Sequence, residues 1–254
     1  MNFETLDFQT DGDIGVLTLR RPEVLNAIDI PMACELEDLS AELRRRPPIR
    51  ALVITGAGRA FCAGGDLTSF RQPREQMEAH SLEITGHLHA AIVNFSRMDL
   101  PTVAAVNGVA AGAGFALVCA CDLAVAAGSA TFMAAYTLAG LSPDLGLTYF
   151  LPRLVGLSAA KTIILTNRRI QATEAERLGV VSQVVSDAET VLAAKAMCAL
   201  VLKGSSAAIG ATKRLLIDSH VAILEPQLQA ESESLAALSA SEEAYERCRR
   251  FVRR

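Results

Sequence analysis

Four largely apolar runs, the last of which is interrupted by Ser182 and Gln183, constrain the fold of this 254-residue chain more than any other feature. They lie at Ala51–Thr55, Thr102–Val106, Leu123–Ala127 and Val180–Val185. Runs of this kind are typical of strands that are covered on both faces, as in parallel sheets. Helical patterns separate them, and Ile14–Leu19 predicts one strand earlier in the chain. The sequence therefore predicts an α/β fold with one dominant core.

The composition agrees with a buried core and argues against several functions. Apolar residues make up 51% of the chain and charged residues 20%, so a large core can form. The net charge is −4 without a basic stripe, which argues against a nucleic-acid partner. Six cysteines form no CxxC pair and four histidines lack ligand spacing, so we expect reduced thiols and no metal site.

The location is predicted from two segments. The first eight residues hold two acids and no apolar leader, which argues against a secretory signal. The apolar stretch Val109–Ala127 contains Asp122 and lacks flanking anchors. We interpret it as a buried helix followed by a buried strand. We therefore expect a cytoplasmic protein with no membrane partner.

The pattern changes after Val185, where only helical signals remain. A single helical stripe in this region carries four leucines, namely Leu224, Leu228, Leu235 and Leu238. Such a face can pack on the core or on another subunit. We therefore divide the chain into a core of residues 1–195 and a C-terminal helical region of residues 196–254, to which we assign oligomerisation.

Two glycine-rich segments each follow a predicted strand. The first is Arg59–Leu67 (RAFCAGGDL) and the second is Asn107–Phe115 (NGVAAGAGF). Adjacent glycines let a ligand approach the main chain closely. The second segment opens a helix, whose first N–H groups lack internal partners and can receive negative charge. Neither segment has a P-loop ending or GxGxxG, and each by itself is equally compatible with tight packing.

These two segments, together with RPEVLNAI at Arg21–Ile28, resemble the crotonase superfamily, also called the enoyl-CoA hydratase/isomerase family. The resemblance spans the chain from Leu17 to about Phe251. It implies a spiral of repeated ββα units, then a helical C-terminal region, and a homotrimer or a dimer of trimers. It also implies an acyl-CoA thioester as substrate. Coenzyme A is then part of the substrate, and no separate cofactor is expected.

Carried over position by position, the resemblance implies an oxyanion hole made of the N–H groups of Gly65 and Ala113. Two such donors stabilise an enolate oxygen more than a neutral thioester carbonyl. The implied contacts to the coenzyme lie along Ala63, Gly64, Asp66 and Leu67, with the adenine near Val24 and Ala27. The arginines that could meet a phosphate are Arg20 or Arg21, and Arg253 or Arg254 of a neighbouring subunit.

The acid and base groups differ from those of the family's hydratases. Ala116 and Tyr136 stand where hydratases carry two glutamates, so simple hydration is not expected. Asp144 follows a proline and matches the proton-shuttling aspartate of family isomerases. Facing an acyl chain, it would have a raised pKa and be a better base. The alternative is a turn or helix-capping aspartate. Tyr136 could orient Asp144 or form a wall.

The preferred hypothesis is an enoyl-CoA isomerase, in which Asp144 moves the proton. A ring-opening isomerase of epoxide-bearing phenylacetyl-CoA would use similar parts. A second alternative is an aryl-CoA dehalogenase-like hydrolase, because His89, Tyr136 and Asp144 match its histidine, tryptophan and nucleophilic aspartate. In that enzyme, however, an aromatic residue replaces Gly65. An enoyl-CoA hydratase and a non-catalytic CoA-ester binding protein are the remaining alternatives. Cys62 is expected to be an inert packed thiol.

Overall fold

The computed structural model of the protein describes residues 3–68 and 73–252. Within these residues the strands are β1 (Leu6–Asp11), β2 (Ile14–Leu19), β3 (Ala51–Gly56), β4 (Ala60–Cys62), β5 (Thr102–Val106), β6 (Val109–Ala111), β7 (Leu123–Ala127), β8 (Thr131–Met133), β9 (Ile170–Gln171) and β10 (Gln183–Val185). The helices are α1 (Ile30–Arg45), α2 (Met77–Arg97), α3 (Ala113–Ala120), α4 (Leu147–Val155), α5 (Leu157–Thr166), α6 (Ala172–Arg177), α7 (Thr190–Val201), α8 (Ser206–Asp218), α9 (Leu224–Ser239) and α10 (Glu242–Val252).

The strands form two sheets that the chain visits in turn. The larger sheet has the order β1-β2-β3-β5-β7-β10, and the smaller has the order β4-β6-β8-β9. The pairs β3–β4, β5–β6 and β7–β8 each give one strand to each sheet, and a helix follows each pair. Pairing is parallel except for β1 with β2 and β8 with β9. This repeated ββα path confirms the predicted spiral.

The central strands are covered on both faces, as their continuous apolar sequence predicts. In β3, Leu52 and Ile54 belong to the main core, which α1 and α2 also enter. Ala51 and Val53 face the other way, into a smaller cluster beneath α7. Alternation along the strand therefore serves two apolar layers, and the sheet is held between helices.

The sequence-based prediction was incomplete for the short strands and for β1 of the larger sheet, which was not predicted. The segment Val109–Ala127 begins with β6 before its helix, so our helix-then-strand interpretation missed one element. The predicted strand Val180–Val185 is paired only from Gln183. Runs of two or three paired residues are too short for periodicity to separate them from loops.

Helix α8, which follows α7, is bound to the core by one buried lysine. Lys213 is 6% exposed, and its Nζ lies 2.7 Å from Oδ2 of Asp122. It also donates to the carbonyls of Phe95 and Leu100 at 2.8 and 2.9 Å. In contrast, α9 buries none of its side chains and exposes Leu224, among others. The predicted division at residue 195 falls inside α7 and stays a prediction.

A membrane-spanning helix needs about 20 predominantly apolar residues. Over the two described ranges, no single helix combines the necessary length and apolar composition. The sharply bent pair formed by 187–201 and 206–218 meets those requirements only when both helices are taken together.

Candidate active site

A cavity of about 120 Å³ lies between the two glycine turns. It brings together seven of the residues predicted for the site, which are Ala63, Gly64, Gly65, Leu67, Ala113, Tyr136 and Asp144. The rest of its wall is small or apolar. Ile84 and Leu88 contribute from α2, one helical turn apart. The cavity therefore joins main-chain donors, one carboxylate and an apolar surface in one place.

The first turn follows β4 and is fixed from one side by the chain segment 25–28. Ala63 donates to the carbonyl of Leu25 at 3.0 Å, and Asp66 donates to that of Ile28 at 2.8 Å. The Ile28 N–H in turn donates to the carbonyl of Gly64 at 2.8 Å. Because both neighbours of Gly65 use this side, its own N–H points to the opposite side. Among the described residues, that N–H has no intramolecular acceptor.

Gly64 is required for this geometry. Its φ is +107°, a conformation that L side chains rarely adopt. A Cβ atom on Gly64 would also lie 3.0 Å from the carbonyl oxygen of Ala111. A larger residue here would separate the two turns.

The second turn leads into α3, which is buried along its whole length. Gly112 caps the helix with φ of +51° and donates to the carbonyl of Met133 at 3.0 Å. Ala113 is the first helical residue, and its N–H also lacks an acceptor among the residues that the structure describes. This N–H belongs to the positive end of a helix, which favours developing negative charge.

The two turns lie against each other. A Cβ atom on Gly64 would be 3.6 Å from the nitrogen of Ala113, and one on Gly112 would be 3.5 Å from Cα of Gly64. Both unused N–H groups therefore belong to the wall of the same small cavity. An oxygen atom bound there could accept from main-chain donors of either turn.

Asp144 and Tyr136 form a hydrogen-bonded pair at the edge of the cavity. The Tyr136 hydroxyl donates to Oδ1 of Asp144. Burial raises the pKa of Asp144, and the hydrogen bond from Tyr136 and the nearby His89 offset this only in part. Burial and the Asp144 charge also raise the pKa of Tyr136, so the phenol keeps its proton at neutral pH. The carboxylate is therefore the acceptor and the available base.

Of the alternative roles for Asp144, the turn is present, since the Leu147 N–H donates to the Asp144 carbonyl at 3.0 Å, but the helix cap is not. Gly146 is the N-cap of α4, and no side chain caps this helix. The residues that adjoin the pair, Ala135 and Leu145, have φ of +64° and +47°. Left-handed backbone at non-glycine residues is costly and is concentrated at functional sites. The backbone thus holds Tyr136 and Asp144 against a local conformational preference.

The remaining predicted contacts lie around the cavity rather than in its wall. His89 accepts the N–H of Leu145 at its Nε2 (3.3 Å) and borders a separate cavity of about 380 Å³. The Asp66 carboxylate receives hydrogen bonds from Thr68 and Arg21. Val24 directly precedes segment 25–28 and Ala27 lies within it. This segment flanks the first turn.

The arginines predicted for phosphate contact have different surroundings. Arg21 is bound to Asp66 and Asp29 and donates to the carbonyl of Ala27. Arg20 is exposed and donates to the carbonyls of Phe3 and Glu4. Arg253 and Arg254 lie outside the described residues.

Cys62 is buried beneath the first turn. Its Sγ accepts from the N–H of Gly64 at 3.4 Å. Burial raises the pKa of this thiol to about 12, so it stays protonated at neutral pH. The group has the properties of a packed thiol and not of a nucleophile.

Sequence reasoning missed most of the apolar wall. Ile84 and Leu88 have helical spacing, and that signal places them on one face of α2 without saying what the face meets. Ala135, Ala139 and Leu141 come from the loop around Tyr136, where no pattern indicates direction.

Ala116, at one of the two hydratase glutamate positions, is fully buried. Asp144 is the single acid among the described residues that line the cavity.

The sequence as a whole was compared with known families. The profile of the enoyl-CoA hydratase/isomerase family matches residues 9–254. The spiral fold, with its two glycine turns around a cavity, is the architecture that this resemblance implies. The chain therefore belongs to the enoyl-CoA hydratase/isomerase family, and it is an enzyme of that family.

Individual relatives carry different activity names. A probable enoyl-CoA hydratase of Rhodobacter capsulatus is 41% identical over 214 residues, covering 84% of this chain and 81% of its own length. The 1,2-epoxyphenylacetyl-CoA isomerase of Escherichia coli K12 is 33% identical, covering 85% and 82%. A Thermobifida fusca YX protein, assigned as an enoyl-CoA hydratase and solved with acetoacetyl-CoA, has a TM-score of 0.86 and 33% identity, covering 93% and 95%.

Proposed function

We propose that this enzyme is an enoyl-CoA isomerase, which shifts a double bond through an enolate. One observation carries the proposal: two main-chain N–H groups that have no acceptor among the described residues border the same cavity as one half-buried carboxylate. Donors of this kind suit a thioester oxygen that gains negative charge. The carboxylate beside them suits a proton on the neighbouring carbon.

The proposed reaction needs one proton carrier. Asp144 takes a proton from C2 of a 3-enoyl-CoA, and the electron pair moves into the thioester, so that a dienolate forms. The N–H groups of Gly65 and Ala113 hold the dienolate oxygen, which they bind more strongly than the neutral carbonyl. Protonated Asp144 then returns the proton to C4 and leaves a 2-enoyl-CoA. Tyr136 holds Oδ1 of Asp144, which leaves Oδ2 to carry the proton in this proposal.

The substrate is proposed to be an acyl-CoA thioester, and the T. fusca relative with bound acetoacetyl-CoA supports this class. Its coenzyme part would follow Ala63–Leu67, with the adenine near Val24 and Ala27. The reaction uses only protein groups and the substrate, so no separate cofactor is part of the proposal. We also propose a cytoplasmic homotrimer or dimer of trimers, built through residues 196–254.

The isomerase is preferred over a hydratase because of the groups at two positions. A hydratase of this family needs a pair of carboxylates to activate and deliver water, whereas this chain has Ala116 and Tyr136 there. Ala116 is fully buried in α3 and Tyr136 keeps its proton. Neither can act as a carboxylate base.

A second candidate is the isomerisation of an epoxide-bearing acyl-CoA. The name of the E. coli relative, 1,2-epoxyphenylacetyl-CoA isomerase, favours it. The same oxyanion donors and Asp144 would serve, because ring opening also develops charge next to a thioester. Assays on both substrate types decide between them.

The role of Asp144 is tested with Asp144→Asn. This change keeps the size of the side chain and removes the base, so we expect turnover of a 3-enoyl-CoA to fall about 10²–10⁴-fold. The formation of the conjugated product is followed by its absorbance. Asp13→Asn, at an exposed aspartate that binds Arg50, is the matched control and should leave turnover unchanged.

Assays of the wild type on other acyl-CoA substrates separate the alternative activities. Wild-type enzyme that hydrates a 2-enoyl-CoA faster than it shifts a 3-enoyl-CoA would be a hydratase. Release of halide from 4-chlorobenzoyl-CoA would indicate the dehalogenase. Full activity of Asp144→Asn on the 3-enoyl-CoA would reject Asp144 as the base.

A further inference from the structure

The N–H donor of Gly65 has little steric support of its own. A Cβ atom on Gly65 would meet no atom within 4 Å, so no packing holds this residue from the cavity side. Its position depends on the residues before and after it. Gly64 is held by the hydrogen bond from Ile28, and the residue that follows is Asp66.

Asp66 is held through its side chain as well as its main chain. The carboxylate is 8% exposed, and Oδ1 receives the N–H and the hydroxyl of Thr68 at 3.0 and 2.6 Å. Oδ2 receives the guanidinium of Arg21 at 3.0 Å. A rotation of the peptide between Gly65 and Asp66 would strain these bonds.

Arg21 connects this carboxylate to the rest of the fold. Its side chain is 18% exposed, and the same Nη2 that binds Asp66 lies 3.1 Å from Oδ2 of Asp29. Its Nη1 donates to the carbonyl of Ala27 at 2.6 Å. Asp29 also caps α1 by accepting from the N–H of Met32 at 3.0 Å. A single guanidinium therefore joins the start of α1, the segment beside the first turn, and Asp66.

We propose that Arg21 is a positioning residue for catalysis, which fixes the direction of the Gly65 N–H through Asp66. The inference rests on the proposed function, since it matters only if that N–H binds the thioester oxygen. Arg21 acts at a distance from the reacting atoms. Because a donor must lie within a narrow range of the oxyanion, a small displacement of the turn weakens it strongly.

This role differs from the phosphate contact that the sequence suggested for an arginine at this position. The guanidinium already has three acceptors, two of them carboxylates, and it is largely buried. A phosphate contact would reveal itself as weaker binding of the coenzyme part. A positioning role would reveal itself as slower chemistry with any thioester, including one that carries no phosphate near the adenine.

The test compares Arg21→Met with Arg44→Met on two substrates, a 3-enoyl-CoA and the same acyl group on pantetheine. Arg44 is exposed at the far end of α1 and binds only Asn94 among the described residues. We expect Arg21→Met to lower kcat about 10- to 100-fold on both substrates, below the 10²–10³-fold loss of a whole oxyanion donor. KM should change little, and Arg44→Met should match the wild type.

A spectroscopic measurement accompanies the kinetics. The ¹³C shift of the thioester carbonyl in a bound, unreactive acyl-CoA reports how strongly the donors polarise it. Wild type and Arg44→Met should shift this carbonyl equally, and Arg21→Met should shift it less. Asp66→Asn, which retains the side-chain volume and removes the partner charge, is measured in parallel and should change in the same direction. It carries the test if Arg21→Met fails to fold.

The outcomes separate this inference from the proposed function. If the wild type binds the thioester but neither shifts its carbonyl nor turns it over, the proposed function is wrong. If the wild type does both and the Arg21 and Asp66 variants match it, only the inference is wrong. A loss confined to the CoA substrate and to KM would assign Arg21 to phosphate binding and overturn the positioning role.

Discussion

The turn at residues 63–66 and the turn at residues 111–114 each bring one main-chain N–H to the cavity, but different forces fix them. The first is held at its outer side by hydrogen bonds and by the ion pairs of Arg21, and it is open toward the cavity at Gly65. The second is held by packing, since α3 is wholly buried and Gly114 lies against Cys62. Hydrogen bonds and ion pairs thus fix the first donor through its neighbours in the chain, whereas close packing fixes the second donor directly.

The packed turn should fail first when a methyl group is added. A Cβ atom on Gly114 would lie 2.2 Å from the carbonyl oxygen of Cys62, a backbone atom that cannot move alone. We expect Gly114→Ala to lower the free energy of unfolding by about 3 kcal/mol or more. Chemical denaturation followed by circular dichroism measures this. A loss below about 1 kcal/mol would mean that the turn is not held by packing.

The open turn should survive acid conditions that stop the chemistry. Burial would raise the pKa of Asp66, but hydrogen bonds from Thr68 and the Arg21 guanidinium outweigh it and lower that pKa. The pKa of Asp144 is raised. As the pH falls, Asp144 gains its proton first and kcat/KM falls tenfold per pH unit, below a pKa higher than the ordinary 3.9 or so.

The stability that Asp66 contributes is lost at a lower pH than the activity that depends on Asp144, because the pKa of Asp66 is lowered and that of Asp144 is raised. A lowered pKa means that its contribution is present above the unfolded value and is lost only as pH falls through the folded one. Between the two groups the enzyme should therefore be inactive and folded, and it should recover when neutral pH is restored. Loss of the circular dichroism signal together with activity would contradict this.

In Tyr136→Phe the acid limb of the pH profile of kcat/KM should move to higher pH, because the hydrogen bond that lowers the pKa of Asp144 is gone.

The smallest effect is expected from a methyl group at the open turn. A Cβ atom on Gly65 meets nothing within 4 Å, so Gly65→Ala should change the free energy of unfolding by less than about 0.5 kcal/mol. The N–H remains, and the methyl group can contact only a bound substrate. Compared with Gly114→Ala under the same conditions, this variant measures how differently the two turns are held. Equal destabilisation of both would remove the distinction.

The sequence predicted the parts of the fold that produce long apolar runs. Three of the four buried strands have the predicted core positions, with bounds within one residue, because a strand covered on both faces needs apolar side chains throughout. The smaller sheet was not predicted. Its strands are two or three residues long, and β6 is no different in composition from the helix that follows it.

The site was predicted in its residues but not in its contacts. The family resemblance selected Gly65, Ala113, Tyr136 and Asp144, and all of them line one cavity. It could not show that Tyr136 donates to Asp144, because that contact depends on left-handed backbone at Ala135 and Leu145. No local preference of alanine or leucine indicates such a conformation. The surroundings of Arg21 were equally out of reach, since its partners are up to 45 residues away in the chain.

The lysine that fixes α8 decides where the C-terminal helices can turn. Lys213 is bonded to Asp122 and to two carbonyls of the core, so α8 cannot rotate without leaving the buried ammonium of Lys213 unpaired. No comparable buried group lies on α9. A displacement of α10 would therefore break only exposed contacts among the described residues, those of Ser205 with Glu243 and of Arg247 with the carbonyl of Lys203, and would leave the buried anchor of α8 intact.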